Sequence, residues 1–269
     1  LFSQLRDEKP VTWQGTTRAA LDGADVYPKT ANGITAWVGV GGSPESVVRT
    51  ARYGYGLMLA IIGGSAERFR PYVDLYHRSL DSFGRDRLPV GIHSPGHIAD
   101  TDAQAWEELY PAMEANRNAI GAERGWPPYS RLQFQHDIGP EGAIYAGSPE
   151  TVARKIAATV QTLGADRFDL KYANGTLEHG KLLHSIELYG TVVAPMVHDL
   201  LARASSRLVA VQAEILLDMT EQPNLPGTTV EYPNWQLRLP VAAGDIAALP
   251  ATARTAAIMC RNDRQEERT

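Results

Sequence analysis

The sequence predicts an α/β protein whose parallel strands are joined by helices, because short buried strands alternate with amphipathic helices. The apolar run at 35–41 (TAWVGVG) ends in glycine, and a helix with apolar spacing follows at 44–53. A second apolar run at 57–62 closes on two glycines. Such alternation requires crossover helices between parallel strands, so the pattern allows either a barrel or a doubly wound sheet.

The next segments continue the same alternation. Apolar residues from Phe69 to Tyr76 predict a helix, and residues 89–93 predict a third strand. An irregular stretch then leads to a capping box at 101–104 that starts another helix. Residues 125–142, rich in Pro and Gly, are expected to form a long loop, and residues 167–172 a further strand.

The character of the chain changes near Ser205. A helix over 186–203 should end the first unit, and residues 204–206 are the best linker candidate. Four prolines between Pro223 and Pro240 then predict extended loop, and the alanine-rich stretch at 245–260 predicts a helix. We therefore expect two domains, residues 1–203 and a small irregular segment at 204–269.

Composition restricts the classes of function. The chain has 269 residues, 43% of them hydrophobic, which supports a packed core. A net charge of −5 gives no electrostatic basis for nucleic-acid binding, and no apolar run approaches the ~20 residues that span a membrane. The single cysteine, Cys260, fits a reducing compartment, so we expect a cytoplasmic protein. The chain starts at Leu1 rather than Met, which suggests processing or a truncated upstream region.

The most informative motif lies at residues 41–46 (GGSPES), directly after a predicted buried strand. Glycines let a ligand approach the backbone closely, Ser43 can cap the helix, and Pro44 suits its first position. Free amides at such a helix start bind phosphate. A second copy at 147–151 (GSPET) has the same pattern, and we interpret it as a capped helix start.

Residues 12–203 resemble the luciferase-like monooxygenase family, flavin-dependent oxidoreductases built on a TIM-type barrel. The matching segments keep the family order; they are TWQG (12–15) with Arg18, GGSPESVVRTARYG (41–54), LMLAIIGG (57–64), ERGWPP (123–128), AGSPETVARKI (146–156), DRFDLKYANG (166–175) and IELYGTVVAP (186–195). The resemblance implies that Gly41, Gly42, Ser43 and Ser46 hold a flavin phosphate. It also implies that three residues lie along the flavin ring, namely Ala60, Ile61 and Gly63.

About four βα units can be counted, whereas a barrel of this kind has eight strands. We therefore expect a partial TIM-type barrel, with the upstream half of the family pattern absent from this chain. Such a product would expose sheet edges and apolar surface, so self-association into a homo-oligomer is expected, and a non-catalytic module is one hypothesis.

Residues 207–260 resemble the C-terminal end of amylomaltase-type 4-alpha-glucanotransferases. The matching segments are MTEQPNLPGT (219–228), YPNW (232–235) and Leu239-Pro240. The resemblance implies that Asn224 and Pro226 lie beside a sugar-binding cleft. Glycosyl transfer needs two carboxylates flanking the bond, and residues 1–206 contain no segment that resembles the catalytic part of that family. We interpret the chain as a chimera that arose by gene fusion, assembly error or design.

The histidines give little evidence of a catalytic group or a metal site. His93 and His97 have metal-ligand spacing, but Pro95 and Gly96 argue against a helix there, so no metal site is predicted. His179, after a predicted strand, is either a solvated loop residue or a side chain that faces substrate or flavin. Because a flavin performs the redox chemistry itself, no protein nucleophile is needed.

The leading hypothesis is an FMN-dependent oxidoreductase of the luciferase-like class, with deazaflavin as the alternative cofactor. Its partners would be a small-molecule substrate and either a reduced nicotinamide or dioxygen. The hypothesis from a different enzyme class is 4-alpha-glucanotransferase.

Overall fold

The computed structural model of the protein describes residues 1–7, 9–25, 27, 35–202, 241, 243–250, 252–253 and 256–257. The strands are β1 (Val11–Trp13), β2 (Leu21–Ala24), β3 (Trp37–Val40), β4 (Gly56–Ala60), β5 (Val90–Ile98), β6 (Tyr145–Gly147) and β7 (Arg167–Lys171). The α-helices are α1 (Phe2–Arg6), α2 (Pro44–Tyr53), α3 (Arg70–Ser82), α4 (Asp102–Arg124), α5 (Arg131–Ile138), α6 (Pro149–Leu163), α7 (His179–Leu188) and α8 (Ala194–Ala202). Short 3₁₀ helices span Ala66–Phe69 and Ala243–Ala248, and a π-helical turn, Tyr189–Val193, joins α7 to α8.

The principal sheet is parallel, and β5 is its central strand. β3 pairs with β4, and β4 pairs with the first half of β5, where Ala60 lies opposite His93. On its other side, this half of β5 pairs with β7, and His93 lies opposite Asp169. The second half of β5 pairs with β6, beginning with Gly96 opposite Tyr145. β1 and β2 form a separate antiparallel pair. The predicted α/β class with parallel strands is therefore confirmed.

The two faces of the sheet differ in what they contact. On one face, alternate strand residues such as Leu57, Leu59 and Ile92 pack against α2, α3 and α6 in a core whose members are almost completely buried. On the second face, Met58 and Ala60 of β4 and His93 of β5 remain partly exposed. Helices α2, α3 and α6 thus form a layer on the first face, while the second face stays partly open at these positions.

Two predictions about the middle of the chain were wrong. β5 continues to Ile98, through the stretch predicted to be irregular, because β6 supplies a pairing partner for its second half. The predicted loop at 125–142 contains α5, whose N-cap Ser130 accepts a hydrogen bond from the Gln133 amide at 3.2 Å. Phe134 of α5 is buried in a small core with α4, which stabilises this short helix.

The end of the first unit also differs in its bounds. The predicted helix at 186–203 begins earlier, at His179, and reaches Ala202 through the π-helical turn. The predicted linker at 204–206 and the predicted loop between Pro223 and Pro240 lie outside the described residues. Of the helices within the described ranges, none combines the length and apolar character needed to cross a membrane.

Candidate functional site

The sequence GSPE[ST]VxR occurs twice, each time between a strand and a helix. The first repeat (residues 42–49, GSPESVVR) leads from β3 into α2, and the second repeat (residues 147–154, GSPETVAR) leads from β6 into α6. In each, the serine is the N-cap: Ser43 Oγ accepts from the Ser46 amide at 3.2 Å, and Ser148 Oγ accepts from the Thr151 amide at 3.5 Å. Since the first amides of a helix have no intrahelical partner, both repeats present donors for an anion.

The backbone of the first repeat is held by a residue from α3. The Tyr72 hydroxyl donates a hydrogen bond to the Gly42 carbonyl oxygen at 3.0 Å. Gly42 has a φ of 125°, a conformation that favours glycine. A methyl group placed on Gly41 would meet no atom within 4 Å, so the backbone before the helix is accessible. The turn is therefore both fixed in shape and open to a ligand.

Charged groups at the first repeat favour an anion. Arg49 Nη2 donates to Ser46 Oγ at 3.1 Å, which brings a cation to the start of α2. The Ser43 hydroxyl donates to the exposed Glu45 carboxylate at 2.8 Å. A hydrogen bond from its own amide and a second from Ser43 lower the pKa of Glu45 below its usual value. This helix start thus stabilises negative charge, here that of the exposed Glu45 carboxylate.

The second repeat already holds a negative charge from the protein. Asp102, at the start of α4, accepts hydrogen bonds from the Ser148 amide at 2.6 Å and from the Thr151 hydroxyl at 3.1 Å. Arg154, the counterpart of Arg49, is instead bound by Glu150 at 2.7 Å. The interpretation of this copy as a capped helix start agrees with its geometry, but the role of Asp102 was not predicted.

The three residues expected along a flavin ring lie at the carboxyl end of β4. Ala60 is on the partly exposed second face, beside His93 on the neighbouring strand. The Ile61 side chain is 1% exposed and packs in the helix-side core, so this residue could face a ligand only through its backbone. Gly63 is exposed, and a methyl group there would meet no atom within 4 Å. The space that a side chain at this position would occupy is therefore empty.

The candidate substrate residue His179 begins α7 and is exposed. The loop before it follows β7, so it lies toward the same carboxyl edge of the sheet as the first repeat. Asn174 fixes that loop: its side-chain amide donates to the carbonyl oxygens of Gly96 at 2.8 Å and Tyr172 at 3.2 Å. The other two candidates, Asn224 and Pro226, lie outside the described residues.

His93 and His97 do not share a site. His93 is on the second face of the sheet, opposite Asp169. His97 is 1% exposed, and its Nε2 lies 2.7 Å from Glu108 Oε2 on α4. Within the described part of the chain, no three His, Cys, Asp or Glu residues are grouped so that they could hold a metal ion.

Tyr72 and Asp102 are the residues at these two repeats that the sequence did not indicate. Tyr72 contacts the first repeat from a different helix, and Asp102 lies 46 residues before Ser148, so no local pattern marks either. Arg49, in contrast, is indicated by the sequence. The arginine occupies the same place in both repeats, three residues after Ser46 in the first, so on a helix the two side chains are neighbours.

Two family models match the sequence. The model described as luciferase-like monooxygenase matches residues 1–167, and the model described as 4-alpha-glucanotransferase matches residues 130–243. A curated 4-alpha-glucanotransferase of Haemophilus influenzae is 50% identical over 44 residues, which are 16% of this chain and 6% of that protein. Both predicted resemblances are therefore confirmed, and the first covers the larger part of the chain.

The described fold is similar to solved monooxygenases. Monooxygenase RslO1 from Streptomyces bottropensis matches with a TM-score of 0.55 and 18% identity, over 71% of this chain and 57% of that one. The oxygenating constituent of 3,6-diketocamphane monooxygenase from Pseudomonas putida was solved with FMN. It matches with a TM-score of 0.50 and 16% identity, over 72% of this chain and 60% of that one. The chain thus spans less than two thirds of either structure, and its fold corresponds to part of a TIM-type barrel, as predicted.

Proposed function

Because the chain belongs to the luciferase-like monooxygenase family, we propose that it is a flavin-dependent oxidoreductase whose first repeat binds the phosphate of FMN. The observation that carries the proposal is the contrast between the repeats. The second repeat binds the carboxylate of Asp102, whereas the first presents equivalent donors, together with Arg49, at an accessible turn. An anion therefore fits the first repeat without displacing a side chain from another element.

Each residue has a distinct part in this proposal. The backbone at Gly41 and Gly42 and the hydroxyls of Ser43 and Ser46 would hold the phosphate oxygens, and Arg49 would neutralise their charge. Ala60, the backbone of Ile61, and Gly63 would lie along the ring. When bound, the flavin supplies the redox chemistry. The protein's residues bind the cofactor, fix its orientation and limit the access of water.

Deazaflavin is the alternative cofactor, because its tail also carries an anionic phosphate. The substrate would be a small molecule, reached from the loop that contains His179, with a reduced nicotinamide or dioxygen as redox partner. We also propose the domain division at 203/204, assembly into a homo-oligomer and a cytoplasmic location, the last because Cys260 is the single cysteine.

A pair of ligands tests phosphate recognition. FMN and riboflavin share the ring and differ in the phosphate, so the protein should bind FMN more tightly in a titration followed by fluorescence quenching. Arg49→Gln and Ser46→Ala should each weaken FMN about tenfold, the effect of losing a hydrogen bond to a charged group, and leave riboflavin unchanged.

The second repeat provides the matched control. Arg154→Gln removes the equivalent arginine, which is already bound by Glu150, so FMN affinity should stay unchanged. Equal affinity for FMN and riboflavin in the wild type would refute phosphate recognition by the first repeat. An equal loss in Arg49→Gln and Arg154→Gln would show that the arginine acts only through overall charge.

The second candidate function is 4-alpha-glucan transfer, favoured by the family-model match over residues 130–243. Asn224 and Pro226 would then lie near a bound sugar. We expect no activity, because glycosyl transfer needs two carboxylates flanking the bond and the curated glucanotransferase is matched over only 6% of its length. Incubation with maltotriose measures this directly, and release of glucose would establish the glucanotransferase reaction instead.

A further inference from the structure

The two repeats have nearly the same sequence but differ in their surroundings. Six of their eight positions are identical, both serines cap a helix, and both prolines occupy its first turn. What differs is the element that approaches from outside. Tyr72 contacts the backbone of the first repeat, whereas the second repeat receives a carboxylate from Asp102. The binding behaviour of each repeat thus depends on one residue outside it.

The position of Asp102 is determined by helix α4. Thr101 is the N-cap of α4 and accepts a hydrogen bond from the Gln104 amide at 3.2 Å, which fixes the residue that follows it. The carboxylate then spans the donors of the second repeat, with Oδ1 on the Ser148 amide and Oδ2 on the Thr151 hydroxyl. These are the amide and hydroxyl positions that the first repeat offers as Ser43 and Ser46.

The backbone of the second repeat is shaped for this carboxylate. A methyl group on Gly147 would lie 2.7 Å from Asp102 Oδ1, so glycine permits the close approach. Partial burial acts to raise the pKa of Asp102, but the hydrogen bonds from Ser148 and Thr151 outweigh it and hold the pKa below its usual value. The group is therefore charged at neutral pH, and it meets the donors as an anion.

We propose that Asp102 is a specificity-determining residue: its carboxylate takes the anion position of the second repeat and so restricts phosphate binding to the first repeat. When the side chain is shortened, the amide of Ser148 and the hydroxyl of Thr151 become available to a phosphate oxygen. The part of this inference that assigns phosphate to the first repeat rests on the proposed function. The part that concerns the second repeat does not.

The test compares wild type with Asp102→Ala and Asp102→Ser, using inorganic phosphate and FMN as separate probes. Calorimetric titration gives the number of phosphate sites, and melting in potassium phosphate against potassium chloride of equal ionic strength gives the stabilisation. Both variants should bind one more phosphate than wild type and gain more stability from it. Adding Thr151→Val should weaken that extra site about tenfold. Asp81→Ala, an exposed acid on α3, controls for the change in net charge.

The outcomes separate this inference from the proposed function. If wild type binds no phosphate or FMN while the Asp102 variants bind one phosphate, the proposed function fails and the role of Asp102 stands. If wild type binds FMN and the variants gain no phosphate site, the role of Asp102 is refuted. The same conclusion follows if phosphate stabilises neither variant more than it stabilises wild type, or if Asp81→Ala gains the same site.

Discussion

The buried ammonium group of Lys155 should make the stability of the protein depend on pH. It is enclosed where α5 ends and β6 begins. Its Nζ donates to the carbonyl oxygens of Ile138 at 3.2 Å, Gly139 at 2.5 Å and Ile144 at 2.9 Å. It also lies 5.0 Å from the centre of the Tyr145 ring. Burial lowers the pKa of Lys155 to about 8, although two nearby carboxylates act in the opposite direction.

This pKa makes stability depend on pH in a defined window. In the unfolded chain the lysine titrates near pH ~10.4, so between about pH 8 and that value the unfolded state binds more protons than the folded state. Folding stability should therefore rise with pH across the window, by up to about 3 kcal/mol at ~1.4 kcal/mol per unit. Below about pH 8 both states are protonated, and this contribution no longer changes with pH.

Lys155→Met isolates the effect, because it keeps the length of the side chain and removes the titrating group. Urea unfolding of both proteins, followed by circular dichroism from about pH 7.5 to about pH 9.5, gives the difference in free energy of unfolding at each pH. That difference should grow in favour of wild type as pH rises. Lys171→Met, at an exposed lysine on β7, is the matched control for the loss of one positive charge. A difference that stays constant, or falls, would refute the assigned environment of Lys155.

Four substitutions test the backbone at three glycines and the support that Tyr72 gives to the first repeat. Gly42→Ala should lower the free energy of unfolding by ~1–3 kcal/mol, because a φ of 125° strains any residue other than glycine. Gly41→Ala has open space around the added methyl, so it should lower that free energy far less in the same urea experiment. Gly96→Ala should lower the free energy of unfolding by ~1–3 kcal/mol, because the added methyl overlaps the Tyr145 carbonyl and pushes β5 away from β6. An unchanged melting temperature would contradict this. Tyr72→Phe removes the hydrogen bond to Gly42, so the free energy of unfolding should fall by ~1 kcal/mol and the affinity for FMN should fall severalfold. An FMN titration identical to that of wild type would contradict this.

Elements with strong local signals could be predicted from the sequence. Helix α2 is the clearest case: Ser43 caps its start, Pro44 occupies its first turn, and Gly54 ends it with a φ of 71°. Strand β4 is marked by its apolar run and β7 by its position after a glycine that ends α6. In these cases propensity, capping and burial agree, so local reasoning is sufficient.

Elements that depend on distant partners could not be predicted in the same way. Beyond Pro95, β5 persists because residues near Tyr145 pair with it, and nothing within the strand itself indicates that partner. The short helix α5 lies in a Pro- and Gly-rich segment, and its burial depends on α4. The role of Asp102 has the same origin, since only the tertiary fold brings the start of α4 to the second repeat.

The central strand β5 has a consequence for how the protein unfolds. Its first half contributes Ile92 to one hydrophobic core, and its second half contributes Ile98 to another that also contains Val193. Because one continuous strand runs through both cores, neither can be lost without disturbing the other. The two regions should therefore lose structure in a single concerted step, so that backbone amides near both ends of the strand exchange with solvent at similar rates.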